Sequence, residues 1–168
     1  MIEFGAKAKN DWSPTNRFLS AGEMMPDFAL VSMNGRRVRI SDYRGRSNLV
    51  LVFCARGNSK ETRSFLRQVF EQRWEFEGEE AQVLVIVRQS KDLSDILKDL
   101  PFPVLRDKEG HAHDLAGVAA NERNFRPVIY VVDRYGEIRH VCRAGDASHT
   151  GAGAILDWVR YINLECPE

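Results

Sequence analysis

The thiols are the first groups to consider for chemistry, because cysteine is the strongest nucleophile among the side chains of this sequence. The chain of 168 residues contains three of them, Cys54, Cys142 and Cys166, far apart in the sequence. They form no C-x-x-C pair and stand in no Cys/His cluster, so neither a dithiol motif nor a zinc site is indicated. Any thiol chemistry would therefore rest on a single cysteine in an exposed, electropositive setting.

Cys54 lies in the stretch LVLVFCARGNSKETRSF, residues 49–65. The apolar run predicts a buried strand, and Gly57-Asn58-Ser59 predicts a turn into a helix whose first N–H groups would favour an anion. Cys54 falls inside the strand, before that turn. It is either a relocated redox thiol or a small residue filling an apolar position, and the second interpretation fits a mid-strand setting better.

Composition excludes several classes of function. The formal net charge is zero, which argues against nucleic-acid or anionic-membrane partners. No apolar window is long enough to span a membrane, and the polar N-terminal stretch lacks the apolar centre of a signal peptide. We therefore expect a cytoplasmic, single-domain protein.

Histidines and acids give no metal motif. His111, His113 and Asp114 form an H-x-H-D segment, but no further ligand stands nearby, so we predict a surface segment without metal and without any cofactor. We expect His140 to face solvent on an edge strand.

Periodicity predicts an alternating α/β chain. An N-terminal arm covers residues 1–20, and Asn34-Gly35 predicts a hairpin whose second strand exposes Arg37 and Arg39. Strands are predicted at 28–31, 37–40, 49–54, 83–87, 103–107, 127–132 and 137–142. Helices are predicted from Asn58 or Ser59 to Phe70, at 91–100, at 111–118 and after Thr150, with Glu75–Glu80 as a solvated helix end and Phe65, Phe70, Trp74 and Trp158 at core spacing.

Four segments, in order, resemble the alkyl hydroperoxide reductase and thiol-specific antioxidant family, the redoxin branch of the thioredoxin fold. They are AGEMMPDFALVSMNGRRVRISDYRG, LVLVFCA, FPVLRDKEGHAHDLAGV and RPVIYVVDRYGEIRHV. The resemblance implies a thioredoxin-like three-layer α/β sandwich over residues 21–163, with a mixed central sheet, helices on both faces and an N-terminal β-hairpin. Residues 164–168 are then a C-terminal tail. The family implies oxidoreductase activity with antioxidant function, either peroxidase or thiol–disulfide exchange.

The family's peroxidatic motif, P-x-x-x-T-x-x-C, falls on Ala55, Ser59 and Thr62 in this sequence. Only Ser59 keeps comparable chemistry, since a threonine hydroxyl hardly ionises and cannot form a sulfenic acid. The family's catalytic arginine falls on Pro127, with Arg126 as its neighbour. The resemblance therefore implies a site whose nucleophile is absent.

The W-C-x-x-C motif of thioredoxin-like reductases falls on Gly57, Asn58 and Glu61, so both thiols are absent there too. Glu61 would also raise the pKa of a neighbouring thiol. Pro127 matches those proteins' cis-proline, which implies a constrained turn. Cys166 stands where two-cysteine peroxiredoxins carry a resolving thiol. The implied topology keeps Cys54 and Cys142 about two strand spacings apart, too far for a disulfide.

These residues favour a non-catalytic binding or scaffold module with an unknown protein or small-molecule partner, and with a homodimer as a family-like assembly. The alternative is a thiol-dependent peroxidase or thiol–disulfide oxidoreductase that uses the displaced Cys54 or Cys166. A third hypothesis is an anion site formed by the helix N-terminus and Arg126.

Overall fold

A central seven-stranded sheet organises the chain in the computed structural model, which describes residues 18–54, 60–88, 97–118, 126–143 and 151–165. The strands are β1 (Ala29–Ser32), β2 (Arg37–Arg39), β3 (Asn48–Cys54), β4 (Ala81–Val87), β5 (Val104–Arg106), β6 (Val128–Val132) and β7 (Ile138–Arg143). The helices are α1 (Lys60–Glu71), α2 (Arg73–Gly78), α3 (His111–Leu115) and α4 (Ala152–Glu165), with a 3₁₀ turn at Ile40–Tyr43.

The strand order is β2-β1-β5-β4-β3-β6-β7. β3, β4 and β5 run parallel in the centre, while β6 and β7 on one side and β1 and β2 on the other pair antiparallel. Every residue of β3 is buried, as its continuous apolar run predicts for a strand covered on both faces. The mixed sheet predicted from the sequence is confirmed.

Two hydrophobic cores lie on the two faces of the sheet. One face packs against α1, α2 and α4, through buried residues that include Phe65, Phe76 and Ile155. The other face packs against the segment before β1, the 3₁₀ turn and α3, through residues that include Phe28 and Ala112. The three-layer arrangement is therefore confirmed, since both faces of the sheet are covered.

The hairpin predicted at Asn34-Gly35 is confirmed. Gly35 has a φ of 87°, a conformation that a side chain would strain, and its N–H donates to the carbonyl of Ser32. The turn connects β1 to β2, which lies at the outer edge of the sheet, and Arg37 and Arg39 are exposed there as predicted.

The helix after β3 does not continue into the Glu75–Glu80 run, which the sequence pattern predicts as a solvated helix end. α1 ends at Glu71, and the Arg73 guanidinium donates to the carbonyl of Phe70 at 2.8 Å, which satisfies a helix-end acceptor. α2 then begins separately, and Phe76 inside the predicted solvated run is buried. Trp74 is 66% exposed, so the prediction that it belongs to the core is wrong.

The other core aromatics differ among themselves, because Phe65 is buried whereas Phe70 and Trp158 are half-buried. Most of the helix predicted at 91–100 lies outside the described residues, as do the predicted caps Asn58, Ser59 and Thr150. In the part of the chain that the structure describes, no helix is long and apolar enough to cross a lipid bilayer.

Candidate functional site

The candidate site predicted from the sequence lies at the carboxyl ends of the parallel strands, an edge of the sheet where β3 ends. Cys54 pairs with Val87 on β4, and Phe53 pairs with Val128 on β6, so the start of β6 meets the end of β3. α1 begins at this edge and packs on the face of the sheet that carries Cys54. The register therefore brings the end of β3 and the Arg126-Pro127 segment together, and α1 begins six residues after Cys54 along the chain.

Thr62, which the resemblance places at the cysteine position, lies in the first turn of α1 and is only 1% exposed. Its neighbour Glu61 is exposed in the same turn. A helix N-terminus stabilises negative charge, but a threonine hydroxyl does not ionise near neutral pH and so cannot use that field as a thiolate does.

Cys54 is buried on β3, with 3% of its surface exposed. Burial raises the pKa of its thiol to about 12, because the core cannot solvate a thiolate. The prediction that Cys54 fills an apolar position is confirmed by this environment. At neutral pH the side chain stays a thiol, which is the poorly nucleophilic form.

Cys54 and Cys142 are not joined by a disulfide. Val52 pairs with Ile129 on β6, and Ile129 pairs with Cys142 on β7, so β6 separates the two strands that carry the thiols. The separation expected from the fold is confirmed.

Arg126 is half-buried and Pro127 is buried at the start of β6. The described residues contain no cis peptide bond, so the bond between Arg126 and Pro127 is trans, and the implied cis-proline is not found here. The other predicted site positions, Ala55, Gly57, Asn58 and Ser59, and the tail thiol Cys166 lie outside the described residues. Their roles remain predictions.

A buried Asp–His pair lies next to this edge, and the sequence pattern did not reveal it. His113 is fully buried, its Nδ1 lies 2.7 Å from Oδ2 of Asp107, and its backbone N–H donates to the same oxygen at 2.8 Å. Burial alone would raise the pKa of Asp107, but the hydrogen bonds from His113 outweigh it and lower that pKa. The ring also contacts Phe53 edge-on, with centroids 5.2 Å apart.

The expectation of a surface H-x-H segment is wrong for His113. Residues two apart on a helix point in nearly opposite directions, so His111 is exposed while His113 enters the core. Among the described residues, no three histidine, cysteine or acidic side chains are placed to hold a metal ion. The sequence feature that could have indicated the Asp107–His113 pair is an aspartate that stands a short turn before the first turn of α3.

His140 also differs from its predicted role. Its ring stacks on Trp158 with centroids 4.6 Å apart and planes 13° from parallel, and the residue is half-buried rather than solvent-facing. Burial lowers the pKa of this imidazole. The sheet edge at β7 therefore carries an aromatic cluster, which Tyr161 extends.

One cavity lined by described residues lies away from this edge. It has a volume of about 580 Å³, and its lining includes Ser47, Trp74 and Ala81, so it opens near the amino ends of β3 and β4. Thr62 and Pro127 lie at the opposite ends of these strands. This cavity is therefore not part of the edge that carries Cys54 and Pro127.

A model of the AhpC/TSA family matches residues 21–141. The chain belongs to the AhpC/TSA family. With its mixed sheet, it is a peroxiredoxin-like redoxin of the thioredoxin fold. No curated protein sequence matches the chain.

Solved structures of peroxiredoxins and of a thiol:disulfide interchange protein resemble the chain over most of its length. Peroxidoxin BcpB from Mycobacterium tuberculosis gives a TM-score of 0.74 at 18% identity, covering 86% of this chain and 98% of its own. A putative thiol:disulfide interchange protein DsbE from Chlorobium tepidum gives 0.66 at 24% identity, covering 84% and 99%. The yeast mitochondrial 1-Cys peroxiredoxin gives 0.74 at 14% identity, covering 87% and 77%. At these identities the likeness shows the fold alone.

Proposed function

We propose that this AhpC/TSA chain is a non-catalytic binding or scaffold module, in which the surface around Thr62 and Pro127 keeps the site's shape without its thiol chemistry. The observation that carries the proposal is the burial of Cys54, whose pKa is raised to about 12. Of the described cysteines, Cys54 is the one at this edge, and it is in the wrong protonation state for nucleophilic attack.

The neighbouring groups support the same proposal. Thr62 is buried at the start of α1, where the family pattern has its nucleophile, and a hydroxyl there cannot cycle through a sulfenic acid. Pro127 stands at the arginine position and carries no charge to stabilise an anion. Glu61 adds a negative charge in the same turn, which disfavours any thiolate formed beside it.

The module would bind a protein or a small molecule at this edge, and it would assemble as a homodimer through an edge strand or a helix face. Support for a helix-face contact comes from α4, where Tyr161 is 49% and Leu164 is 79% exposed beside the edge strand β7. Light scattering over a concentration series tests the assembly, and a monomer at every concentration would contradict it.

The alternative function is a peroxidase or thiol–disulfide oxidoreductase that uses Cys54 or Cys166. Peroxide consumption by the wild-type protein separates the two functions, and substitution of Thr62 tests the surroundings of the site. Thr62→Cys places a thiol at the helix start, and Thr62→Ser is the matched control that keeps a hydroxyl. We expect wild type, Thr62→Ser and Thr62→Cys all to consume hydrogen peroxide no faster than free cysteine, because position 62 is only 1% exposed and Glu61 disfavours a thiolate there.

Two results would contradict the proposal. Peroxide consumption by wild-type protein well above the free-cysteine rate would support the displaced-thiol enzyme. A Thr62→Cys protein that folds, as judged by circular dichroism, and consumes peroxide well above the free-cysteine rate would contradict the argument that the groups around position 62 disfavour thiol chemistry.

A further inference from the structure

The outer edge of β2 presents its backbone hydrogen-bonding groups to solvent. The carbonyl of Arg36 accepts from the N–H of Ser32, and the N–H of Ile40 donates to Phe28, so the even-numbered residues bond inward to β1. Hydrogen bonding alternates along an antiparallel strand, so the N–H and C=O groups of Arg37 and Arg39 point outward. Within the described residues, β2 ends the sheet on this side.

The side chains of β2 divide between core and solvent. Val38 packs on the core, whereas Arg37 and Arg39 are exposed on the other face of the sheet. Arg39 contacts Oδ2 of Asp27 at 3.2 Å in a solvent-exposed ion pair. Arg37 has no salt-bridge partner among the residues that the structure describes. The outer edge of β2 therefore carries both outward-pointing backbone groups and two exposed arginine side chains, at Arg37 and Arg39.

A second copy of the chain is a poor occupant for this edge. Pairing β2 with another β2 would place arginines directly opposite arginines, and like charges opposite one another destabilise a sheet. An extended segment with acidic residues at alternate positions has the complementary charge and the same side-chain period of two.

We propose that the edge of β2 binds an extended acidic segment of a partner protein by strand addition, with alternate Asp or Glu side chains opposite Arg37 and Arg39. The segment's backbone bonds the outward groups of these two residues, and its carboxylates pair with their guanidinium groups. β1, β5 and β4 lie between this edge and β3, so the contact is separate from the Thr62 surface. This proposal does not depend on the proposed function, and each can be tested without the other.

The test uses a synthetic peptide of alternating glutamate and threonine, capped at both ends, with full-length protein. Amide hydrogen exchange reports where it binds, and fluorescence anisotropy reports affinity. We expect protection of the amides of Arg37 and Arg39, and weaker binding at higher salt. A double variant, Arg37→Glu with Arg39→Glu, should lose at least about tenfold in affinity, or about 1.4 kcal/mol.

Three comparisons keep the result decisive. Arg67→Glu, the same kind of charge reversal at one exposed position of α1, should leave affinity unchanged. The double variant should instead bind the peptide in which lysine replaces glutamate, which shows that it is folded. A glutamate peptide N-methylated on its edge-facing amides should bind at least about tenfold more weakly. Equal binding of the methylated peptide, or no protection at Arg37 and Arg39, would overturn strand addition.

Discussion

Burial sets the protonation state of Cys54, the described thiol at the edge where β3 ends and β6 begins. Its pKa of about 12 follows from burial, so at neutral pH almost none of it is thiolate. The sequence already favoured a buried Cys54, since the residue stands within a continuous apolar run. What the sequence left open was whether the strand would be covered on both faces, and both hydrophobic cores now cover it.

At this scale we expect iodoacetamide to alkylate native Cys54 far more slowly than half-exposed Cys142 at mildly alkaline pH. In denaturing urea the two thiols should react at similar rates, because unfolding removes the desolvation that raises the pKa of Cys54. Mass spectrometry of the digested protein measures both rates. Native alkylation of Cys54 as fast as that of Cys142 would contradict its burial.

Asp107 makes stability depend on pH. Its pKa is lowered in the folded protein, so its stabilising contribution is present above the unfolded pKa of about 3.9 and is lost as pH falls through the folded value. Asp107→Asn removes the charged acceptor of the two His113 hydrogen bonds. We expect it to lower the free energy of unfolding by about 1–3 kcal/mol at neutral pH, and much less in acid.

Urea unfolding at neutral pH and below about pH 4 measures this difference. Asp157→Asn is the control, since Asp157 is a largely exposed carboxylate on α4. An Asp107→Asn variant whose unfolding free energy stays a constant amount below wild type at every pH would refute the role of this ionisation.

At the scale of elements, the turns were easier to predict than the helix ends. Asn34-Gly35 carries its geometry locally, because Gly35 must adopt a positive φ. The break between α1 and α2 depends instead on the Arg73 side chain reaching the carbonyl of Phe70, a contact that helical periodicity does not encode. Trp74 follows that break, which is why its helical spacing wrongly predicted a core position.

The turn between α2 and β4 contains a strained residue. Glu80 has a φ of 55°, the one positive value found for a non-glycine residue in the described part of the chain. A side chain costs about 1 kcal/mol in this conformation. We expect Glu80→Gly to raise the free energy of unfolding by a few tenths to about 1 kcal/mol.

Glu77→Gly is the matched control for the Glu80 prediction, because Glu77 is an exposed residue inside α2. There glycine should lower stability by about 1 kcal/mol. Urea midpoints compare the two variants. A loss of stability in Glu80→Gly as large as that in Glu77→Gly would show that the turn is not strained.

At the scale of the whole molecule, the order of four sequence segments was enough to predict the fold, because each matched a strand or turn in a known topology. The site was less predictable. The burial of His113 and the stacking of His140 on Trp158 arise from contacts between elements that are distant in sequence. A single sequence shows that these residues are titratable but not which face of its element each one occupies.

The balance of charge is also a property of the whole chain. With 24 basic and 24 acidic residues and a pI of about 6.9, the protein has little net repulsion near neutral pH. We expect solubility to be lowest there and to rise on both sides, as measured by the concentration remaining after precipitation with a fixed salt. Arg37→Glu with Arg39→Glu should move the minimum to lower pH. A minimum that does not move would contradict control by net charge.

The most direct test of the central claim is a sulfenic-acid trapping experiment on the reduced wild-type protein exposed to low hydrogen peroxide, with labelled sites located by mass spectrometry. A non-catalytic module should show no labelling of Cys54, Cys142 or Cys166 above the rate of a free thiol. Rapid labelling of Cys54 or Cys166, well above that rate, would contradict the account and establish a peroxide-reactive thiol.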